Sequence, residues 1–194
     1  MTTTGRRERK KAATRQALAY AALNLFLERG YDAVTVADVA DAADVSVTTL
    51  FNHFPGGKPA LVFDQEDDVR AGLVDAVVQR EAGCTVLEAV RRHQRTQVAF
   101  EAEHREGFAR FRALLTATPA LVEHARAMWA RDEEALAAAV VSTTPGVDPF
   151  DARLLARFVV EGLHLASARP DAAAALDRVV DLLASGWTES VTER

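Results

Sequence analysis

A single cysteine, Cys84, in 194 residues excludes an internal disulfide and any cysteine-based zinc cluster. No apolar run approaches the roughly 18 residues of a membrane span. The polar, basic opening Met1-Thr2-Thr3-Thr4-Gly5-Arg6-Arg7 lacks the apolar stretch of a signal peptide, so a cytoplasmic protein with no membrane attachment is expected. HExxH, Walker, GxSxG and dinucleotide-binding patterns are all missing. The segment Pro55-Gly56-Gly57-Lys58 has neither the preceding strand nor the spacing of a phosphate loop. Five histidines, His53, His93, His104, His124 and His164, fall on different predicted helices, and no close His/Cys/Glu cluster has ligand spacing. An enzyme, a cofactor and a metal centre are therefore not expected.

Helix-forming residues dominate instead. The apolar share of 49% contains much alanine, which favours helix over sheet, and no segment shows sustained two-residue alternation. Charge is unevenly spread. In residues 1–62, 8 Lys/Arg face 6 Asp/Glu, a net +2, whereas in 63–194, 15 face 22, a net −7. Arg6, Arg7, Arg9, Lys10, Lys11 and Arg15 stand near the start against Glu8 alone. That asymmetry suits a nucleic-acid-binding head, residues 1–62, on an acidic body, residues 63–194. A solvated tail accounts for the basic run equally well.

Caps and breakers divide the chain into about nine helices. The first runs from Lys11 to Arg29 with Leu18, Ala22, Leu25 and Phe26 as its stripe and Gly30 as its stop. Thr35 and Asp38 form a capping box for a second helix carrying Val36, Val39, Ala40 and Ala43. After a turn at Asp44-Val45, Ser46 caps a third helix to His53. A fourth is expected from Lys58 to Glu81. Thr85 and Glu88 make another capping box, opening a helix to Glu103. Further helices are expected over 106–117, from Thr118-Pro119 to Val141, from Asp148-Pro149 to before Pro170, and from Asp171 to Glu189. Ser142 to Val147 is the clearest loop.

Short helices joined by tight turns suit a helix-turn-helix, whose second helix enters the major groove while the first crosses the backbone. The run Ala21-Ala22-Leu23-Asn24-Leu25-Phe26-Leu27-Glu28-Arg29-Gly30-Tyr31 through Thr35-Val36-Ala37-Asp38-Val39-Ala40 resembles the first half of the tetracycline-repressor (TetR) family DNA-binding domain. Val45-Ser46-Val47-Thr48-Thr49-Leu50-Phe51-Asn52-His53-Phe54 is similar to the second half. The resemblance covers residues 12–62. It implies an all-α dimeric transcriptional regulator, most often a repressor of a palindromic operator on double-stranded DNA, released by a small-molecule effector.

Carried over position by position, the resemblance gives Thr35 and Lys58 a phosphate each. Val47, Thr48 and Thr49 would face bases, and Phe51, Asn52 and His53 would meet bases or backbone. The basic residues Arg6 to Lys11 would add salt-dependent affinity along the backbone or in the minor groove. Three positions depart from the family pattern. Asp44 stands where glycine is usual in the turn, Phe51 replaces a tyrosine whose hydroxyl commonly binds phosphate, and the spacer before Lys58 is one residue longer.

The body is expected to supply effector binding and dimerisation, the latter through the last two helices. Leu176, Val179, Val180, Leu183 and Trp187 form one stripe. The preceding helix is apolar on two faces, Leu155, Val159, Gly162, Leu163 and Ala166 on one and Leu154, Phe158 and Leu165 on the other. Polar residues within apolar stripes mark effector candidates: His93, Gln97, Phe100, Phe108, Phe111, Arg112, Met128, Trp129, Phe158 and Glu161, with His124 and His164 as further anchors. Residues from Phe108 to Trp129 are loosely similar to the mycofactocin-regulator-like subgroup, which implies a large, hydrophobic effector. The alternative is a helical ligand-binding or adaptor protein of the same fold that has lost operator binding.

Overall fold

The computed structural model describes residues 3–186 apart from 65, 104, 168 and 170, with side chains at 3–4, 66–68, 98–103, 105–106 and 108 left undescribed. It is all-α, with ten helices and no strand among the described residues: α1 Thr3–Arg29, α2 Val36–Ala42, α3 Val47–His53, α4 Gly57–Val62, α5 Glu66–Val78, α6 Val86–Glu103, α7 Arg105–Ala117, α8 Pro119–Thr143, α9 Pro149–Ser167 and α10 Ala172–Ser185. Two compact units emerge. The first holds Met1–Asp67 and Glu106–Ala125, the second Asp68–Arg105 and Arg126–Arg194.

Two helices differ from expectation. α1 begins at Thr3 rather than Lys11, because Arg, Lys, Glu and Ala are good helix formers and Gly5 alone opposes them. The single helix expected over 58–81 is instead α4 and α5. At Phe63 the backbone leaves helical geometry, with φ −106° and ψ 42°. Phe63 packs against the core of the first unit and stacks on His124, ring centres 5.1 Å apart. Packing of one aromatic ring thus overrides a run of good helix formers.

The first unit is centred on Leu18, Ala22, Phe26, Val39, Leu50, Phe54 and Leu61, and Leu114, Leu115 and Leu121 join it from α7 and α8. Leu50 is fully buried, so its truncation to alanine would cost about 2–5 kcal/mol. In the second unit, Leu73, Val77, Val90, Leu136, Val140, Ala156 and Val159 make the main core. Arg80 ties its ends. The guanidinium donates to the Thr143 carbonyl at 2.8 Å, the Thr143 hydroxyl at 2.6 Å and the Val77 carbonyl at 2.7 Å. Trp187 lies outside the described residues.

The last two helices pack on each other within the chain. Leu176 and Val180 are buried, and Val179 and Leu183 half-buried. On α9, Ala152, Ala156, Val159 and Ala166 turn inward. Gly162 sits so close to α10 that a Cβ there would overlap the Val179 side chain. The opposite face of α9 is uncovered: Phe150, Leu154, Phe158 and Leu165 are all exposed. Of the two apolar faces read from the sequence, one is therefore chain core and the other is open.

Candidate nucleic-acid interface

α2 and α3 are built by their caps. The Thr35 hydroxyl accepts the Asp38 N–H at 3.1 Å, while the Asp38 carboxylate accepts the Thr35 N–H at 2.7 Å and the Thr35 hydroxyl at 2.6 Å. These bonds hold the Asp38 carboxyl below its ordinary pKa, the side-chain hydrogen bond from Thr35 contributing most. Ser46 Oγ accepts the Thr49 N–H at 3.1 Å and lies 2.8 Å from the Thr49 hydroxyl.

The turn between the two helices closes on Asp44. Its φ is +53°, the sole left-handed non-glycine residue among those described. The Val45 N–H donates to the Ala40 carbonyl at 3.0 Å and the Asp44 N–H to the Asp41 carbonyl at 3.1 Å. This is a Schellman motif, which glycine usually fills. Aspartate tolerates the left-handed region better than most residues, so the substituted turn keeps its shape.

α3 then presents one face outward and one inward. Leu50 is fully buried, whereas Val47 is 38% and Phe51 44% exposed. Thr48 and Asn52 are exposed too. Residues four apart share a helix face, so Val47 and Phe51 make an apolar row and Thr48 and Asn52 a polar one beside it. Thr49 and His53 are half-buried, and the Thr49 hydroxyl faces back to its cap. Of the base-facing candidates Val47, Thr48 and Thr49, the structure exposes the first two on one open surface, with Asn52 beside them, and turns the Thr49 hydroxyl back to its cap.

The phosphate candidates stand differently. Thr35 is engaged with Asp38, as above. Lys58 donates from Nζ to the Tyr31 carbonyl at 2.6 Å and stands 4.1 Å from the Tyr31 ring centre. The longer spacer takes its shape at Gly57, φ +66°, where a Cβ would stand 3.9 Å from Phe51 Cε1. The Phe51 ring therefore lies beside the turn that opens α4. Arg6, Arg7, Arg9, Lys10 and Lys11 are exposed along α1.

Sequence reasoning missed Arg15. Its guanidinium donates to the His53 carbonyl at 3.0 Å and the Asp64 carbonyl at 3.1 Å, pairs with the Asp64 carboxylate at 2.5 Å, and covers the Phe54 ring at 4.5 Å. The signal was a cation three residues before Leu18 and seven before Ala22, within the apolar stripe of its helix. A charge placed there needs partners.

The effector candidates divide between the two units. Phe111 and Arg112, both half-buried, belong to the first, as does Phe108 by position; His93, Gln97, Phe100, Met128, Trp129, Phe158 and Glu161 belong to the second. The side chains of Phe100 and Phe108 lie outside the described residues. His93 packs against Gly72 of α5, where a Cβ would come within 3.0 Å of the ring. Its Nε2 is buried with no hydrogen-bond partner among the described residues, and burial lowers its pKa. The Trp129 ring stands 3.7 Å from that of His164, whose pKa burial also lowers. Gln97 and Met128 are half-buried, while Glu161 and Phe158 are exposed on α9. Among the described residues no group of three or more His, Cys, Asp and Glu could hold a metal ion. No helix among them is long and apolar enough to cross a membrane.

Two capped helices joined by a left-handed turn, the second with its apolar side sunk in a core and its other side open, form a helix-turn-helix. Comparison with known proteins agrees. Residues 19–64 match the family of bacterial regulatory proteins, tetR family. Over 86 residues the chain is 35% identical to the HTH-type transcriptional regulator TcmR of Streptomyces glaucescens, 44% of this chain and 38% of that one. The match thus spans well under half the length of that relative. Across nearly the whole chain the fold is similar to Thermus thermophilus FadR, a TetR family transcriptional repressor in complex with lauroyl-CoA, with a TM-score of 0.59, 24% identity and 93% and 99% of the two chains covered. It is similar also to the TetR family repressor AlkX of Dietzia sp. strain DQ12-45-1b, with a TM-score of 0.57, 21% identity and 87% and 94% covered. The family likeness therefore rests on residues 19–64, and over the rest of the chain the likeness is one of fold.

Proposed function

We propose that the protein is a homodimeric, cytoplasmic repressor that reads a palindromic operator and leaves it when a hydrophobic small molecule binds. No catalytic role is proposed. The observation that carries the reading is the open face of α3, where Val47, Thr48, Phe51 and Asn52 stand exposed on a helix anchored by buried Leu50. Thr35, Thr49, His53 and Lys58 complete the proposed DNA-facing set; their present partners would have to share or exchange hydrogen bonds with phosphate. The functional division proposed is a DNA-binding head, residues 1–62, and an effector and dimerisation body, residues 63–194.

Dimerisation is supported by the uncovered stripe Phe150, Leu154, Phe158 and Leu165 on α9, since clustered exposed apolar side chains mark association surfaces. Phe158 fits that face better than a pocket. A two-fold dimer matches a palindrome when its reading helices enter successive major grooves, roughly 34–36 Å apart. An effector would act by favouring a state in which that spacing is lost. His93, Gln97, Met128 and Trp129 are the proposed effector contacts in the second unit, with Phe100, Phe108, Phe111, Arg112 and Glu161 as secondary candidates. A long acyl chain or an aromatic metabolite fits the apolar character of this set, and a protein of similar fold holds lauroyl-CoA.

A second reading has support in the phosphate candidates: Thr35 and Lys58 both spend donors inside the head. It makes the protein a ligand-binding member that has lost operator binding. Selection of bound duplexes from a random DNA pool separates the two. Recovery of a palindrome supports the repressor; recovery of no common sequence overturns it in favour of the second.

A further inference from the structure

α3 carries no lysine or arginine. Its seven residues, Val47–His53, are Val, Thr, Thr, Leu, Phe, Asn and His. The commonest specific reading of guanine is by a bidentate arginine or lysine at O6 and N7, and this helix has neither. What it turns outward is apolar. Val47 and Phe51, one turn apart, are the two large hydrophobic side chains left exposed on α3. The Phe51 ring edge lies near Gly57, where a Cβ would stand 3.9 Å from it. Exposed apolar area of that size on a short helix is costly unless something apolar covers it.

In the major groove the apolar group on offer is the thymine 5-methyl. We propose, resting on the DNA-reading function above, that Val47 and Phe51 determine operator specificity by covering thymine methyl groups, so that each half-site holds thymines beneath the start and the middle of α3. The neighbouring row is consistent with this. Asn52 offers an amide of the kind that pairs with the N6 and N7 edge of adenine, the partner of thymine in the same base pairs. The substrate is thus a duplex read mainly through its A·T pairs, with methyl burial in place of guanine hydrogen bonds.

The test begins with duplexes recovered from a random pool, followed by replacement of each half-site thymine, one at a time, by deoxyuridine. This deletes the methyl group and leaves base pairing intact. Binding to the full-length protein should weaken about fourfold for each covered methyl, as expected for one buried carbon. Val47→Ala should make one of those positions indifferent to uracil and Phe51→Ala the other, while Phe51→Leu should retain sensitivity. Circular dichroism and melting of each variant separate loss of reading from loss of fold. Recovered half-sites without thymine beneath α3, or tolerance of every uracil by the wild type, would overturn the inference while leaving DNA binding in place. Uracil penalties unchanged in both alanine variants would overturn the assignment to these two residues. Recovery of no common sequence would instead remove the reading on which it rests.

Discussion

Lys58 donates to the main-chain carbonyl of Tyr31, 27 residues earlier, at 2.6 Å, with its ammonium over the Tyr31 ring. One residue thereby fastens the start of α4 to the corner after α1. Lys58→Met would keep the aliphatic stem and remove both interactions. A loss of about 1–2 kcal/mol in head stability is expected, measured by denaturant unfolding. The slope of log affinity against log salt on DNA should fall by about one, as the proposed phosphate contact requires. An unchanged slope would remove Lys58 from the DNA-facing set and leave it a structural tie.

Thr35 is the hinge of the capping box that starts α2. Thr35→Ala should destabilise the head by about 1 kcal/mol. Thr35→Ser should restore the difference, since its hydroxyl can make the same bonds. Equal melting temperatures for the wild type and the alanine variant would refute the role given to the box.

Two sets of groups set the acid response. Burial lowers the pKa of His93 and His164, so the unfolded chain takes up protons first as pH falls below the ordinary histidine value of about 6.5. Stability should decline from there towards pH 5, and His93→Gln should flatten that stretch. Asp38 and Glu88, both held below their ordinary values by hydrogen bonds from Thr35 and Thr85, add stability above the ordinary carboxylate range. That share is lost as pH falls through their lowered folded-state values. Unfolding curves between pH 8 and pH 2 check both, and a histidine stretch with the opposite slope would contradict the burial.

Gly162 on α9 leaves room for Val179 on α10. Gly162→Ala gains up to about 1 kcal/mol of helix propensity but forces a β-branched neighbour to move, at a cost of about 1–3 kcal/mol. Net destabilisation is expected. Val179→Ala in the same chain should reverse much of it, because the two sites share one contact.

Phe158 stands 51% exposed on the open face of α9. Phe158→Glu should leave melting of the isolated chain little changed and halve the mass seen by sedimentation. A dimer that survives this change would have to use another surface.

Much of the head was legible because its signals are local. Thr35 with Asp38, Ser46 with Thr49, the stop at Gly30 and the left-handed turn at Asp44 each involve residues within a few positions of one another, as do Thr85 and Glu88 in the body, and backbone geometry alone rewards those residue types. What sequence could not reveal depends on distant partners. The break after Val62 is decided by Phe63 finding His124. The internal bond of Lys58 depends on Tyr31. The stripes Leu176-Val180 and Leu154-Phe158 share the same period, and nothing in the spacing says which is covered by its own chain. For the effector candidates the difficulty is greater, since polar residues within apolar stripes serve packing and binding alike.

Arg15 joins the carbonyl end of α3 to both the main chain and the carboxylate of Asp64, just past α4. Three helices of the head therefore meet at one guanidinium. None of them can tilt alone without breaking a charged hydrogen bond, so α1, the end of α3 and the chain just past α4 are keyed together as one block.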